Sequence, residues 1–143
     1  MQSLHPLTVH FPIALLITGV ALDLLGWIAK RPALRTAALW NLSLGTLGAG
    51  AAVWTGLRAE NVAKHSFEIW KVLELHKKLG ISTLILGLLG LGWRWQQRRR
   101  LTGWRQAVAS LLALGMLGTL IWGAHLGGDL VYELGVGGQF GRK

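Results

Sequence analysis

Apolar residues in this chain fall into four long runs that are separated by short polar stretches. A helix needs about 20 mostly apolar residues to cross the hydrocarbon core of a bilayer. Three runs reach that length, and the fourth does so if the turn before it, with its snorkelling lysines, lies at the membrane edge. The predicted spans are Phe11–Ala29, Thr36–Leu57, Leu79–Trp93 and Gln106–Ala124. The pattern therefore predicts an all-α fold, a four-helix up-down bundle in which residues 1–143 form one transmembrane domain.

Basic residues are unevenly distributed among the connections. The predicted turns Lys30–Arg35 and Arg94–Arg105 hold eight basic residues and no acid, whereas the opposite side carries seven basic residues and five acids. Loops rich in Lys and Arg stay in the cytoplasm. We therefore expect both termini to be periplasmic and the protein to be a multi-pass protein of the bacterial inner (cytoplasmic) membrane. The middle connection, Arg58–Leu75, is predicted to be partly helical and amphipathic.

Composition removes several classes of function. The chain has no Cys, which excludes disulfides, iron–sulfur clusters and covalently attached c-type haem. Its formal net charge is +9, but the basic runs flank the predicted spans, so they indicate contact with anionic lipid and no nucleic-acid partner. It also lacks a phosphate-binding glycine loop and an HExxH motif.

Histidines carry the candidate chemistry. Counted from the nearest cytoplasmic cations, His10, His76 and His125 lie 20, 18 and 20 residues away, on helices one, three and four. At about 1.5 Å per residue, these distances predict three imidazoles at one level near the outer surface. Pro12 places His10 at or just before the start of the first helix, so His5 is expected in an entry segment over the bundle mouth.

Small residues and one acid accompany these histidines. A helix-spaced series follows His76, and a second one lies on helix two; such stripes indicate close helix packing, and beside His76 they also leave room for a flat cofactor. Asp129, one turn after His125, is expected to hydrogen-bond an imidazole N–H, and Tyr132 shares its face. The two series are Gly80, Thr83, Gly87 and Gly90, and Gly45, Gly48, Ala52 and Thr55.

Three segments together resemble a known family. The opening LHPLTVHFPIALL, the HKKLG around His76 and the closing AHLGGDLVYELGVG are similar to those of a bacterial family of predicted four-helix membrane proteins, known as a domain of unknown function. The resemblance implies that His5, His10, His76 and His125 are the characteristic histidines, and His65 is not among them. It also implies an electron-transfer setting, since relatives are joined to Rieske iron–sulfur or c-type cytochrome modules.

The leading functional hypothesis is a membrane-embedded b-type cytochrome. Helix bundles hold haem through axial imidazoles on facing helices. His10 and His76 would be ligands on diagonal helices, and His125 and His5 would form a second pair or hold the haem propionates, with Asp129 and Tyr132 beside them. The protein would be an electron carrier rather than an enzyme with its own substrate. Its partner would be a periplasmic c-type cytochrome or a Rieske-type protein.

Two alternatives stay open. His10, His76 and His125, with His5 or water as a fourth ligand, also suit a zinc or copper ion. The second alternative is a non-catalytic assembly subunit, in which the glycine stripes form the interface and the histidines have no chemical role. A homo-oligomer is compatible with both alternatives. Asp23 is the one carboxyl inside a span. It is interpreted as a partner of Asn41, Ser43 or Thr46 on helix two, or of Lys30.

The orientation can be tested with reporter fusions. A reporter fused after Lys143 should be active only outside the cytoplasm, because the basic turns hold the opposite side in the cytoplasm. A matched fusion after Arg100, inside the third turn, should give the reverse activity. A cytoplasmic C-terminus would contradict the predicted topology.

Overall fold

The computed structural model describes residues 4–60, 66–97 and 102–136, which form four α-helices. They are α1 (Leu4–Ile28), α2 (Pro32–Glu60), α3 (Phe67–Gln97) and α4 (Trp104–Tyr132). The all-α, four-helix prediction is confirmed for these residues. Each helix is longer than its predicted span because the helical conformation continues into the polar flanks. Most of the predicted connection Arg58–Leu75 is helical, because α2 continues to Glu60 and α3 begins at Phe67. Residues 61–65 lie outside the described part of the chain.

The start of α1 differs from the prediction. The helix begins at Leu4, so His5 and His10 both lie within it and Pro12 is in its interior. A proline inside a helix removes one backbone hydrogen bond and usually needs room for its ring. Pro12 is buried against α2, where a Cβ on Gly48 would come within 3.1 Å of the Pro12 Cβ. The absence of a side chain at Gly48 thus lets Pro12 pack closely against α2.

Successive helices pack antiparallel as two tight hairpins, α1–α2 and α3–α4. Glycines bring α1 and α2 together, since a Cβ on Gly45 or Gly19 would lie within 3 Å of Leu16 or Leu42. Helix α2 also contacts α3, and α1 touches α4 only lightly, which leaves α1 and α3 on a diagonal of the bundle. We call the end with the α1–α2 and α3–α4 connections the turn end. The terminal end holds the start of α1 and the end of α4.

The distribution of polarity is the reverse of that in a water-soluble bundle. Large apolar side chains are exposed on all four helices, among them Phe11, Leu47, Leu88 and Leu111. The buried core instead combines apolar and small residues with several polar side chains. Its polar members are Asp23, Thr46, Thr83, Arg94 and Gln106. A polar interior inside an apolar surface is what a hydrocarbon solvent favours.

Two of the described helices are long and apolar enough to be candidate membrane spans by length and composition, Val9–Ile28 and Trp104–Tyr132. Helices α2 and α3 are less apolar along their length because glycines, threonines and Arg94 occupy their inner faces. Their outer faces are nevertheless apolar, as the exposed Leu44, Leu47 and Ile85 show.

The predicted packing of the glycine stripes is confirmed. Gly45 and Gly48 face α1, Gly80 and Gly87 face α2, and Gly90 faces Leu112 of α4. At Gly87 a Cβ would lie 3.1 Å from the Thr46 hydroxyl and 3.5 Å from the Met116 sulfur.

Replacement of Gly87 with Leu should therefore destabilise the bundle by about 1–3 kcal/mol, because the new side chain overpacks the α2–α3–α4 contact. Gly92, on the same helix, is exposed and a Cβ there meets nothing within 4 Å. Gly92→Leu is the matched control and should leave stability nearly unchanged. Reversible unfolding in detergent micelles measures both, and equal effects of the two changes would contradict the packing.

Candidate functional site

His76 is held at the terminal end of the α3–α4 contact. Its Nδ1 lies 2.8 Å from the carbonyl oxygen of Gly123 on α4. A carbonyl only accepts, so Nδ1 carries the proton and the ring's lone pair belongs to Nε2. Gly127, one turn along α4, lies against the same ring, where a Cβ would come within 3.0 Å of the His76 Cε1. The tautomer and the plane of this half-buried imidazole are thus fixed by α4.

The face of α3 that carries His76 points into the bundle. Thr83, Gly87, Gly90 and Arg94 on α3 are all buried, and His76 precedes Thr83 by two helical turns on the same face. The Thr83 hydroxyl is 2.9 Å from the Thr119 hydroxyl of α4, which continues the polar contacts between these helices. His76 therefore lies on the same face of α3 as these buried residues.

His125 lies on a different face of its helix. The side of α4 that packs on α3 includes Gly123 and Gly127, and His125 is two residues from each, about 200° around the helix. Its side chain is 76% exposed, and its Nε2 is 3.8 Å from the Asp129 carboxylate, beyond hydrogen-bond distance. Tyr132 is 83% exposed. The hydrogen bond expected between His125 and Asp129 is therefore not made, although the two side chains are near one another on the outward face of α4.

His10 is exposed on α1, and the side chain of His5 lies outside what the structure describes. Within residues 4–60, 66–97 and 102–136, no three histidine or acidic side chains gather closely enough to hold a metal ion. The predicted triad of His10, His76 and His125 is therefore not assembled in the described part of the chain, because two of its members lie on outward faces. Their roles as haem ligands stay predictions.

A second polar centre lies at the turn end, where Asp23 of α1 meets Arg94 of α3. The Arg94 guanidinium donates to the same Asp23 oxygen from Nη2 at 2.7 Å and from Nε at 3.2 Å. The side chains of Arg94 and Asp23 are 5% and 4% exposed. Arg94 also donates to the carbonyl oxygens of Ala109, at 3.0 Å, and Gly90, at 3.3 Å. The buried cation thus has acceptors on three helices.

Gln106 of α4 extends this network to α2. Its amide nitrogen donates to the Asp23 carboxylate at 3.4 Å and to the Ser110 hydroxyl at the same distance. Its amide oxygen accepts from Arg35 of α2 at 3.0 Å. Gln106 is fully buried. One connected network therefore contains a side chain from each of the four helices.

The predicted partners of Asp23 are wrong. Asn41 donates to Thr18, the Ser43 hydroxyl donates to the Leu39 carbonyl, and the buried Thr46 hydroxyl has no hydrogen-bond partner among the described residues. Lys30 is exposed in the α1–α2 turn.

Arg94 also differs from its prediction as a cation of the cytoplasmic turn, because it is a buried residue of α3. A sequence signal was present, since Arg94 continues the helix-spaced series His76, Gly80, Thr83, Gly87 and Gly90 by one more turn.

The two centres suit different tasks. A buried ion pair that is also hydrogen-bonded to its neighbours favours one arrangement of helices, and removal of either charge leaves the other uncompensated. At the terminal end, an imidazole whose Nδ1–H is fixed by a carbonyl is oriented as metal-binding histidines usually are. The terminal end is therefore the candidate cofactor site.

The fold and the two centres define a small helical-bundle membrane protein, with glycine-lined helix contacts, an apolar surface and a polar interior. The chain belongs to the family described as "Predicted membrane protein (DUF2231)", whose profile matches residues 1–139. The resemblance inferred from the end motifs is thereby confirmed at the level of the family. No curated protein and no solved structure matches the chain.

Loss of one member of the ion pair should be strongly destabilising. Arg94→Leu leaves the Asp23 carboxylate buried without its cation and should lower the free energy of unfolding by about 3–5 kcal/mol. The double variant Asp23→Leu/Arg94→Leu should lose less than the sum of the single changes, which a double-mutant cycle measures. Lys78→Ala, which removes an exposed partner of Glu74, is the control and should have little effect. Strict additivity of the two single changes would contradict a direct interaction.

Proposed function

We propose that this protein spans the bacterial inner membrane four times and binds haem b at its periplasmic side, where it carries electrons. The first support is the outer surface of the bundle, because α2 and α3 expose apolar side chains as α1 and α4 do. If α2 faced water, its exposed Trp40, Leu47 and Trp54 would form an apolar surface of a kind that soluble proteins rarely expose. With the basic turns in the cytoplasm, the terminal end and His76 lie on the periplasmic side.

The observation that carries the haem assignment is the bond between His76 Nδ1 and the Gly123 carbonyl, at 2.8 Å. Axial histidines of haem need Nε2 or Nδ1 as a neutral donor, and a hydrogen bond at the other nitrogen sets the ring and raises its basicity. His76 has this arrangement on a face that points into the bundle. It would be one axial ligand, and the iron would supply one-electron redox chemistry when bound.

Small residues line the α2–α3 contact near His76. In the middle of the bundle the hairpins approach closely, with a Gly87 Cβ position 3.1 Å from Thr46. Nearer the terminal end a Cβ at Gly80 would meet Val53 at 3.8 Å, and one at Gly50 would meet Leu84 at 3.9 Å, which are ordinary contact distances. The contact between α2 and α3 is therefore less tight near His76 than at Gly87.

The proposed location also accounts for the expected partner. A haem near the periplasmic surface is within reach of a soluble redox protein, for which a c-type cytochrome or Rieske-type protein is the suitable class. The apolar outer surface would contact lipid acyl chains. No described residue of the site has the arrangement of a nucleophile and base, so electron transfer fits better than catalysis on a substrate of the protein's own.

The proposal is tested by absorption of the protein purified in mild detergent. The dithionite-reduced minus oxidised spectrum should show a b-type haem. His76→Ala should lose the haem while retaining its helical circular dichroism, and His65→Ala should keep the haem. A colourless protein that holds stoichiometric zinc or copper, or neither metal nor haem, would overturn the proposal.

A finer test uses two glycines of α4. Gly127→Ala places a Cβ 3.0 Å from the His76 ring and should weaken haem retention by displacing the imidazole. Gly118→Ala, where a Cβ meets nothing within 4 Å, is the matched control and should behave like the unaltered protein. Equal retention in both variants would indicate that His76 does not hold the haem.

A further inference from the structure

We propose that His125 and Asp129 form one half of a metal-ion site, which a second copy of this chain completes with the same two residues. The site lies on the outward face of α4, and its ligand set suits a divalent cation such as zinc. It goes beyond the haem-binding function proposed above, and it uses none of the residues that carry that proposal.

His125 and Asp129 lie on the side of α4 opposite its packing face. The packing face carries the buried Met116 and Gly123, and Gly127 lies against α3. At about 100° per residue, His125 and Asp129 project roughly 160° and 200° from the centre of that face. Both belong to the candidate span Trp104–Tyr132, and ionisable side chains in a span usually face the bundle interior or a partner. Their outward position therefore indicates contact with a group outside the chain.

The two side chains are spaced as ligands of one ion. An offset of four residues puts them one turn apart on the same face. The His125 Nε2 is 3.8 Å from the Asp129 Oδ2, which is too long for a hydrogen bond between them. Two ligands of one tetrahedral zinc, each about 2.0–2.2 Å from the metal, are roughly 3.3–3.5 Å apart. A small rotation of either side chain therefore brings both atoms within reach of the same ion.

One chain supplies two ligands of the four that a structural zinc site uses. In the part of the chain that the structure describes, no third histidine or acid joins the pair closely enough to hold a metal ion. A two-fold axis along the bundle would bring the same face of two α4 helices together at equal heights. The two copies would then offer two imidazoles and two carboxylates. Two carboxylates repel one another, and one divalent cation neutralises both, so metal and second copy bind together.

The rest of the outward face of α4 suits a contact between two copies. Gly118 lies two turns before His125 on the same face, and a Cβ there meets nothing within 4 Å. Small residues at a contact between membrane helices let the backbones approach closely. Leu111 and Leu114 continue the face toward the turn end, and both are exposed. The face thus combines a close-approach point and apolar surface with metal ligands at one end.

The proposal is tested with the full chain, purified in mild detergent and freed of metal by a chelator. Added Zn²⁺ should double the protein mass measured by sedimentation, with one zinc bound per two chains. His125→Ala and Asp129→Asn should each abolish both effects while retaining helical circular dichroism, because each change removes two of the four ligands. His10→Ala, which alters an exposed histidine of α1, is the matched control and should dimerise like the unaltered protein.

Cross-linking tests the geometry separately, because the chain has no Cys of its own. With a short bismaleimide, Gly118→Cys should give a covalent dimer that depends on Zn²⁺. Gly92→Cys, at an exposed glycine of α3 with similarly open space, should not.

One zinc per chain without association, loss of zinc binding in His10→Ala, or no saturable zinc binding would overturn the proposed metal site. None of these results depends on haem, so the haem spectrum of the same preparations reports on the proposed function independently.

Discussion

A charge enclosed between helices is stable only beside a counterion, and here the two charges come from α1 and α3, which face each other across the bundle. The 2.7 Å contact between Asp23 and Arg94 therefore sets the height and the rotation of one hairpin relative to the other. Gln106 and Arg35 extend the same network to α4 and α2. A sliding of one hairpin by a single turn would break the Asp23–Arg94, Asp23–Gln106 and Arg35–Gln106 bonds together, so the register of the two hairpins is determined at the turn end.

The apolar runs and the basic turns were sufficient to predict four helices and their order, because hydropathy and charge act along the chain itself. Helix lengths were not predictable, since the polar residues before Pro12 and before Leu79 have no signal that ends a helix. The partner of Asp23 was missed for a related reason. An arginine near the end of a span is usually able to snorkel, and for this reason the helix-spaced series that Arg94 continues was not used to predict that it turns inward.

The candidate site was partly predictable. Counting from the basic residues put His10, His76 and His125 at one level, but it assumed that all spans end at one level and took no account of helix faces. The contacts of the two hairpins give the level and the face of each described residue. They separate His76, whose ring is fixed by Gly123 and Gly127, from His125 on the outward face of α4. Height and rotation follow from helix packing, which a count along the sequence does not contain.

The diagonal ion pair also has a consequence for how the chain is made. The ribosome completes α1 and α2 before Arg94 is synthesised, 71 residues after Asp23. In the proposed four-span topology, the first hairpin carries a carboxylate on its inner face without its cation until α3 emerges, and a lone charge in hydrocarbon is costly. The N-terminal hairpin would then not be a finished unit before α3 is made. The ion pair would make the assembly of the two hairpins a cooperative event, completed when the second half of the protein arrives.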